Sequence, residues 1–236
     1  MNTELIVFDL AGTTVKDNRE VHKTLQHAMK KHGIDISMED ANTVMGIPKP
    51  IAIKRLLESR YKGERKISEQ WIETIHQYFV KNMIDFYLTD SSVQENAGVS
   101  DTFVQLKQAG LKIYLDTGFD RDIAAPLVKR LGWLDKGLAD GLITSDGDMR
   151  GRPYPDMIFR AMKLAGVAFA QHVAKVGDTP SDMQQGSSAG CGYVIGITTG
   201  AFSERQLYTE PHTHLIQSIP EVLSILGIEV RSAVPV

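Results

Sequence analysis

Three short runs of apolar, mostly β-branched residues constrain this chain most: Glu4 to Phe8, Leu111 to Leu115 and Val173 to Val176. Runs of this length, bounded by polar residues, have the pattern of parallel strands buried on both faces. Weaker strand patterns follow at Gly141 to Thr144, Tyr193 to Ile197 and His214 to Ile216. Between them lie segments with apolar residues at i, i+3 and i+4: Asp101 to Ala109, Asp120 to Leu131, Asp156 to Ala165, Ser181 to Ala189 and Ile219 to Leu226. Ser100 is the expected N-cap of the first, and Gly110 its stop. Strands alternating with helices predict an α/β fold, a parallel sheet covered on both faces.

One stretch breaks the alternation. From residue 16 to 96 the pattern is helical throughout, with helices expected at Arg19 to His32, Met38 to Val44, Pro50 to Tyr61 and Ser68 to Leu88. The last carries an apolar face of Trp71, Ile75, Phe79, Met83 and Phe86. The expected organisation is therefore a core built from residues 1–15 and 97–236, with a helical domain over 16–96 inserted directly after the first strand. The tail from Val230 to Val236 has no pattern and is expected to fray.

Composition narrows the function classes. With 236 residues, of which 42% are hydrophobic and 23% charged, the chain has an ordinary globular balance and buries roughly 70–75% of its unfolded surface. The net charge of -3 offers no basic footprint for nucleic acid and no polybasic patch for a membrane surface. A single cysteine, Cys191, excludes an internal disulfide and suits a reducing compartment. No basic, apolar, small-residue leader precedes the first strand, and no uncharged apolar run approaches the ~20 residues of a membrane span. The expected location is cytoplasmic.

The polar residues that end the strands carry the chemistry. Open parallel sheets bind ligands outside the strand C-termini. There the sequence places Asp9, Thr117-Gly118, Arg152 in GRPYP, and Asp178 with Asp182 in GDTPSD. Singly, each reads as a cap or a loop residue. Together, in this order, they resemble the four motifs of the haloacid dehalogenase superfamily, and the resemblance covers almost the whole chain. It implies a Rossmann-like core with an inserted helical cap. It also implies an aspartyl nucleophile, Asp9, that splits phosphoryl transfer into two displacements, and Mg²⁺ held by Asp9, the backbone carbonyl of Ala11 and Asp178, with Asp182 behind them. By the same resemblance Thr117 and the amides after it bond the transferring oxygens, Thr13, Met45, Gly118 and Phe119 bind the substrate, and Arg152 offsets developing charge.

The family's phosphatases read DxDGT, where the second aspartate protonates the leaving group. Here the second position is Ala11. Members with alanine there resemble phosphonatase, phosphonoacetaldehyde hydrolase, which breaks a P–C bond with help from a cap lysine. MGIPK, Met45 to Lys49, is similar to the segment that carries that lysine, with Met45, Gly46 and Lys49 in matching places. Three roles for Lys49 stand open: a Schiff base, a grip on the substrate anion, or a solvated surface charge. The sequence also departs from the relative. Arg19 stands near its cysteine, Ala52 at its histidine and Phe119 at its tyrosine, so a lowered lysine pKa has to come from desolvation or from a cation such as Arg19 or Lys54.

Three functions follow as expectations. The first is Mg²⁺-dependent hydrolysis of phosphonoacetaldehyde or a close analogue to acetaldehyde and phosphate. The second is a phosphatase for a small ester such as phosphoglycolate. The third is a protein that only binds a phosphate ligand. The partner is then a small phosphonate or phosphate metabolite, and a homodimer through the cap is compatible with its apolar faces. His212 and His214 are expected in a polar loop, Cys191 as a packed small residue, and Lys62 to Lys66 as a solvated turn.

Overall fold

The computed structural model describes residues 2–229; the expectation for Val230 to Val236 lies outside them. Among the described residues six strands form one parallel sheet in the order β3-β2-β1-β4-β5-β6. They are β1 (Leu5–Asp9), β2 (Lys112–Asp116), β3 (Gly141–Ile143), β4 (Val173–Gly177), β5 (Tyr193–Ile197) and β6 (His214–Ile216). Every residue of β1 is buried, as expected of a central strand covered by helices on both faces. The chain builds outward from β1 to β2 and β3 on one side, then returns to lay β4, β5 and β6 on the other. The order therefore reverses at β1, and the crevice beyond the C-termini of β1, β2 and β4 is the place such sheets offer a ligand. The register fixes its geometry: Asp9 pairs with Asp116 and Phe8 with Val176, so the residues after these positions emerge at one level.

Five helices separate β1 from β2, and the first four form the inserted segment: α1 (Glu20–Lys31), α2 (Met38–Asn42), α3 (Lys49–Arg60) and α4 (Glu69–Thr89). Ser37 starts α2 with a capping box, accepting from the Asp40 amide while Asp40 accepts from the Ser37 amide. Ser68 caps α4. The buried face of α4 is Trp71, Ile75, Phe79, Met83 and Tyr87; Phe86, expected there, is only half-buried. A strict four-residue stripe leads from Met83 to Tyr87, and Phe86 falls one position off it.

The two crossings between this helical segment and the sheet run side by side. Lys16 N donates to Gln94 O at 3.0 Å and Asn96 N to Thr14 O at 2.9 Å, with Val15 and Glu95 bridged between them. The remaining helices are α5 (Val99–Gln108), α6 (Arg121–Leu131), α7 (Asp156–Ala165), α8 (Pro180–Ala189), α9 (Glu204–Leu207) and α10 (Glu221–Ile225). Ser100 does not cap α5. Its hydroxyl donates to Glu95 at 2.6 Å, and the helix begins earlier, behind Gly98 in the left-handed region at φ 78°. The last helix starts at Glu221 rather than at Ile219, because Pro220 occupies its cap position. Among the described residues no helix is long and apolar enough to cross a membrane.

Candidate active site

Asp9 ends β1, and the chain then folds back on itself. The amides of Thr13, Thr14 and Val15 all donate to Leu10 O, at 3.2, 2.9 and 2.8 Å, and the Thr14 hydroxyl donates to Asp9 O at 2.8 Å. Gly12 makes this turn possible. Its φ is 89°, and a Cβ there would stand 2.5 Å from Asp178 Oδ2.

A small cavity of about 40 Å³ opens at this point. Asp9, Ala11, Met45, Lys49, Thr117, Gly118, Phe119, Arg152 and Asp178 all line it, so nine of the residues singled out from sequence meet in one place. Thr13 and Asp182 do not line it and stand behind it. The Thr13 hydroxyl donates to Asp178 Oδ1 at 3.3 Å. Asp182 faces Arg152 Nη1 at 2.9 Å and Lys175 Nζ at 2.8 Å, and accepts from Thr179 Oγ1 at the start of α8. Asp17 and His22, from the helical segment, also line the cavity and were not anticipated.

Arg152 is buried and joins three carboxylates. Its Nη1 reaches Asp9 Oδ1 at 2.7 Å, and its Nη2 reaches Asp116 at both the backbone oxygen (2.8 Å) and Oδ1 (2.6 Å). Lys175, in the middle of β4, meets the same Asp116 Oδ1 at 2.5 Å. Arg152 was expected to offset developing charge; in this structure both its terminal nitrogens hold the site's own aspartates in position. Asp116 and Lys175 were missed from sequence. The signals were present: a lysine inside an otherwise apolar strand run, and an aspartate ending the strand beside Asp9.

The protonation balance follows from this wiring. Burial pushes Asp116 up, but Arg152 and Lys175 more than reverse it and hold the carboxyl below its usual range. Asp9 is raised to about 6, first by burial, with Arg152 opposing and Asp182 adding. Among the described residues no cation pairs with Asp178; burial first, then Asp9 and Asp182, push it far above an ordinary carboxylate. It accepts from the Ala201 amide at 2.6 Å. Asp9, Asp178 and Asp182 bring their oxygens within 4.8 Å of one another. An all-oxygen cluster whose carboxylates outnumber the cations holding them fits a hard divalent ion such as Mg²⁺. Asp178 and Asp9 are its natural ligands, since both oxygens of Asp182 are engaged, Oδ1 by Arg152 and Lys175 and Oδ2 by Thr179, whereas Arg152 takes only Oδ1 of Asp9.

Lys49 opens α3 and is only 3% exposed. Its Nζ lies 5.4 Å from the centre of the Phe119 ring and 5.9 Å from that of Phe79, with Ile47 O at 3.4 Å as a hydrogen-bond acceptor. Burial brings its pKa down to about 8; Asp9 opposes this and Arg152 assists. The cation that matters is thus Arg152, not Arg19 or Lys54, and Lys49 is not a solvated surface charge. Two glycines allow the approach. A Cβ on Gly46, at φ 79°, would overlap the hydroxyls of Thr179 and Ser181, and one on Gly118 would press on Gly46 O at 2.9 Å.

The lesser candidates fall where expected, except that His214, expected in a polar loop, opens β6. His212 Nδ1 donates to Glu210 O at 2.8 Å, and neither His212 nor His214 joins a metal-type cluster among the described residues. Cys191 packs against two apolar clusters. Residues 62–66 are exposed, with Arg65 stacked over Trp71.

Comparison with known proteins agrees with this geometry. Residues 3–190 match the family of haloacid dehalogenase-like hydrolases. A phosphonoacetaldehyde hydrolase of Bacillus cereus (strain B4264) is 30% identical, the alignment taking in all of this chain and 87% of the relative. Another, from B. cereus strain ATCC 14579, is 31% identical over 85% of this chain and 78% of the relative. In fold, the chain resembles a phosphonoacetaldehyde hydrolase-like protein from Oleispira antarctica (TM-score 0.84, 19% identity, 96% of this chain and 92% of that one). It also resembles a hydrolase from Pseudomonas syringae (TM-score 0.83, 20% identity, 96% and 98%). With its motif residues gathered at the switch point of a parallel sheet and its family model spanning most of its length, the chain belongs to the haloacid dehalogenase-like hydrolases, among the members that resemble phosphonatase.

Proposed function

We propose that this hydrolase cleaves the P–C bond of phosphonoacetaldehyde or a close analogue, with Asp9 as nucleophile and Lys49 as the amine that forms a Schiff base. The observation that carries the reading is the burial of Lys49 in the cavity of Asp9, between two aromatic rings, in a site where Ala11 supplies no acid. With its pKa at about 8, about a tenth of Lys49 is free amine at pH 7, against about one part in three thousand at the ordinary value. A lysine kept only to grip an anion gains nothing from that change. The small cavity, with room for roughly three waters, suits a two-carbon phosphonate better than a sugar phosphate.

In this reading the free amine of Lys49 attacks the aldehyde carbon, the carbonyl oxygen departs as water, and a protonated imine remains. Asp9 attacks phosphorus opposite the P–C bond, whose electron pair flows into the imine and makes an enamine. Protonation of the released carbon and hydrolysis of the imine give acetaldehyde and restore Lys49. Water then opens the aspartyl-phosphate to phosphate and Asp9, with the freed amine as the available base. Arg152 and Lys175 keep Asp9 and Asp116 in register throughout. Mg²⁺, held by Asp9, Asp178 and the Ala11 carbonyl with Asp182 outside, would offset the repulsion between Asp9 and the phosphonate. The segment α1–α4 acts as the cap that carries Lys49 and excludes water.

Borohydride added to enzyme and phosphonoacetaldehyde tests the reading. The expected result is a reduced two-carbon adduct on Lys49, seen by mass spectrometry of its peptide, and loss of turnover in Lys49→Ala. Absence of the adduct together with undiminished turnover by Lys49→Ala overturns it. Faster phosphate release from phosphoglycolate than from the phosphonate favours the phosphatase reading instead.

A further inference from the structure

His22 is the third residue of α1 and lines the cavity shared by Lys49 and Asp9, yet no step described so far uses it. It is 1% exposed. Its Nε2 lies 2.9 Å from Asn42 Oδ1 at the end of α2. An amide oxygen only accepts, so Nε2 carries the hydrogen and Nδ1 is left with its lone pair. That Nδ1 is buried and has no hydrogen-bond partner among the described residues. A buried polar atom without a partner costs on the order of 1–3 kcal/mol, and a histidine serving only as core packing has no reason to carry that cost on the wall of a reaction cavity. The charged groups acting on the ring are Asp17 and Arg19 from the crossing before α1, and Lys49 from α3; burial outweighs them and keeps the imidazole neutral. A neutral ring with a fixed tautomer and an open basic nitrogen is the form a proton carrier takes.

We propose that His22 carries protons for Lys49 during imine formation, its Nδ1 taking the proton that the ammonium must lose and returning it to the oxygen that leaves as water. The transfer balances: the ammonium proton passes to Nδ1, the amine adds to the carbonyl carbon, and one amine proton moves to the resulting alkoxide. The proton on Nδ1 then goes to that hydroxyl, which departs as water and leaves the protonated imine. The imidazole ends as it began. Asn42 is the positioning residue, since it decides which ring nitrogen is free.

The inference rests on the Schiff-base reading, and the experiment separates the two. Borohydride trapping on Lys49 is timed by rapid quench with phosphonoacetaldehyde, in the full chain with Mg²⁺, for the unmodified protein, His22→Ala and Asn42→Asp. No adduct in the unmodified protein counts against the Schiff base itself. If the adduct forms, His22→Ala is expected to slow it on the order of 10²-fold, with KM little changed and partial recovery in added imidazole. Asn42→Asp keeps the ring but sets a carboxylate on Nε2–H, and is expected to move up by about one pH unit the lower acid limb of the trapping rate, the one that belongs to the imidazole and lies below the Lys49 limb near 8. Trapping at the unmodified rate in His22→Ala overturns the proposal. Should that variant fail to fold, an acid limb left in place by Asn42→Asp overturns it equally.

Discussion

Arg152 Nη1 and Asp9 Oδ1 meet at 2.7 Å with both side chains buried, and still the Asp9 carboxyl stands at about 6. Burial outweighs the ion pair. Since the folded-state pKa lies above the ordinary 3.8, folding binds a proton between about pH 4 and 6. Asp9 thus supports stability fully below that window, and the support is lost as pH rises through 6. Asp9→Asn removes the dependence while keeping an oxygen for Arg152. In urea denaturation with chelator present, the variant is expected to gain about 1–3 kcal/mol at pH 7 relative to the unmodified chain, while losing turnover. Equal stability of the two at pH 7, or a gain that persists unchanged at pH 4, contradicts this.

Lys175 holds the second tier. It bridges Asp116 and Asp182 from within β4 at 2.5 and 2.8 Å, with no solvent to replace it. Lys175→Met leaves those carboxylates with Arg152 alone and is expected to cost about 3–5 kcal/mol of folding stability. Adding Asp116→Asn should recover part of that loss, because the two positions share one interaction. Strict additivity of the two changes in thermal or urea unfolding would show that the bridge is not the cause.

The pH profile distinguishes the roles left open for Lys49. A nucleophilic amine must be neutral, so kcat/KM for phosphonoacetaldehyde is expected to rise as pH passes through about 8, where Lys49 titrates. A lysine that grips the substrate as a cation gives the opposite slope, falling through the same pH. Stability moves with it: the folded pKa of Lys49 is below the ordinary 10.5, so folding is least favoured at low pH, where a buried ammonium must be kept, and this cost fades as pH rises above 8.

The central strands were legible because they are buried on both faces and so read as apolar runs; β5 and the more exposed edge strand β6 also fall on the expected residues. The site was legible where a strand end changes abruptly from apolar to acidic, as at Asp9 and Asp178. Asp116 was passed over because Thr117-Gly118 beside it drew the reading, and Lys175 because a strand pattern absorbs one charge without losing its period. His22 was invisible for another reason. Nothing local marks a histidine on the third residue of an amphipathic helix; only the packing of α1, α2 and α3 around the cavity gives its nitrogen a place.

Gly46 tests how the helical segment seats on the sheet. It holds φ 79°, and a methyl group there would overlap Thr179 and Ser181 at the start of α8. Gly46→Ala is therefore expected to raise KM and lower kcat by about tenfold or more, through imperfect approach of Lys49, consistent with the cost of misplacing a reacting group. Unfolding of the sheet core, followed by circular dichroism, should shift far less than for Lys175→Met. A variant with unmodified kinetics would mean that the MGIPK turn does not need its close contact with α8.

In the proposed reaction, Ala11 is the position on which reaction type turns. It lines the cavity two residues after Asp9 and is half-buried, so a longer side chain has room to reach into the cavity. Ala11→Asp supplies the carboxyl that a departing alkoxide needs, an effect of about 10²–10⁴ in rate where well positioned. It also adds a carboxylate to a cluster that already raises Asp9 and Asp178, so the new group titrates high and enters protonated, as an acid must. The expected outcome is faster release of phosphate from small esters and slower release from phosphonoacetaldehyde, with Lys49 trapping unchanged when borohydride is present. If the phosphonate rate falls and no ester is hydrolysed faster, the missing acid is not what separates this enzyme from the phosphatases of its family, and the selection lies with Lys49 and the residues around it.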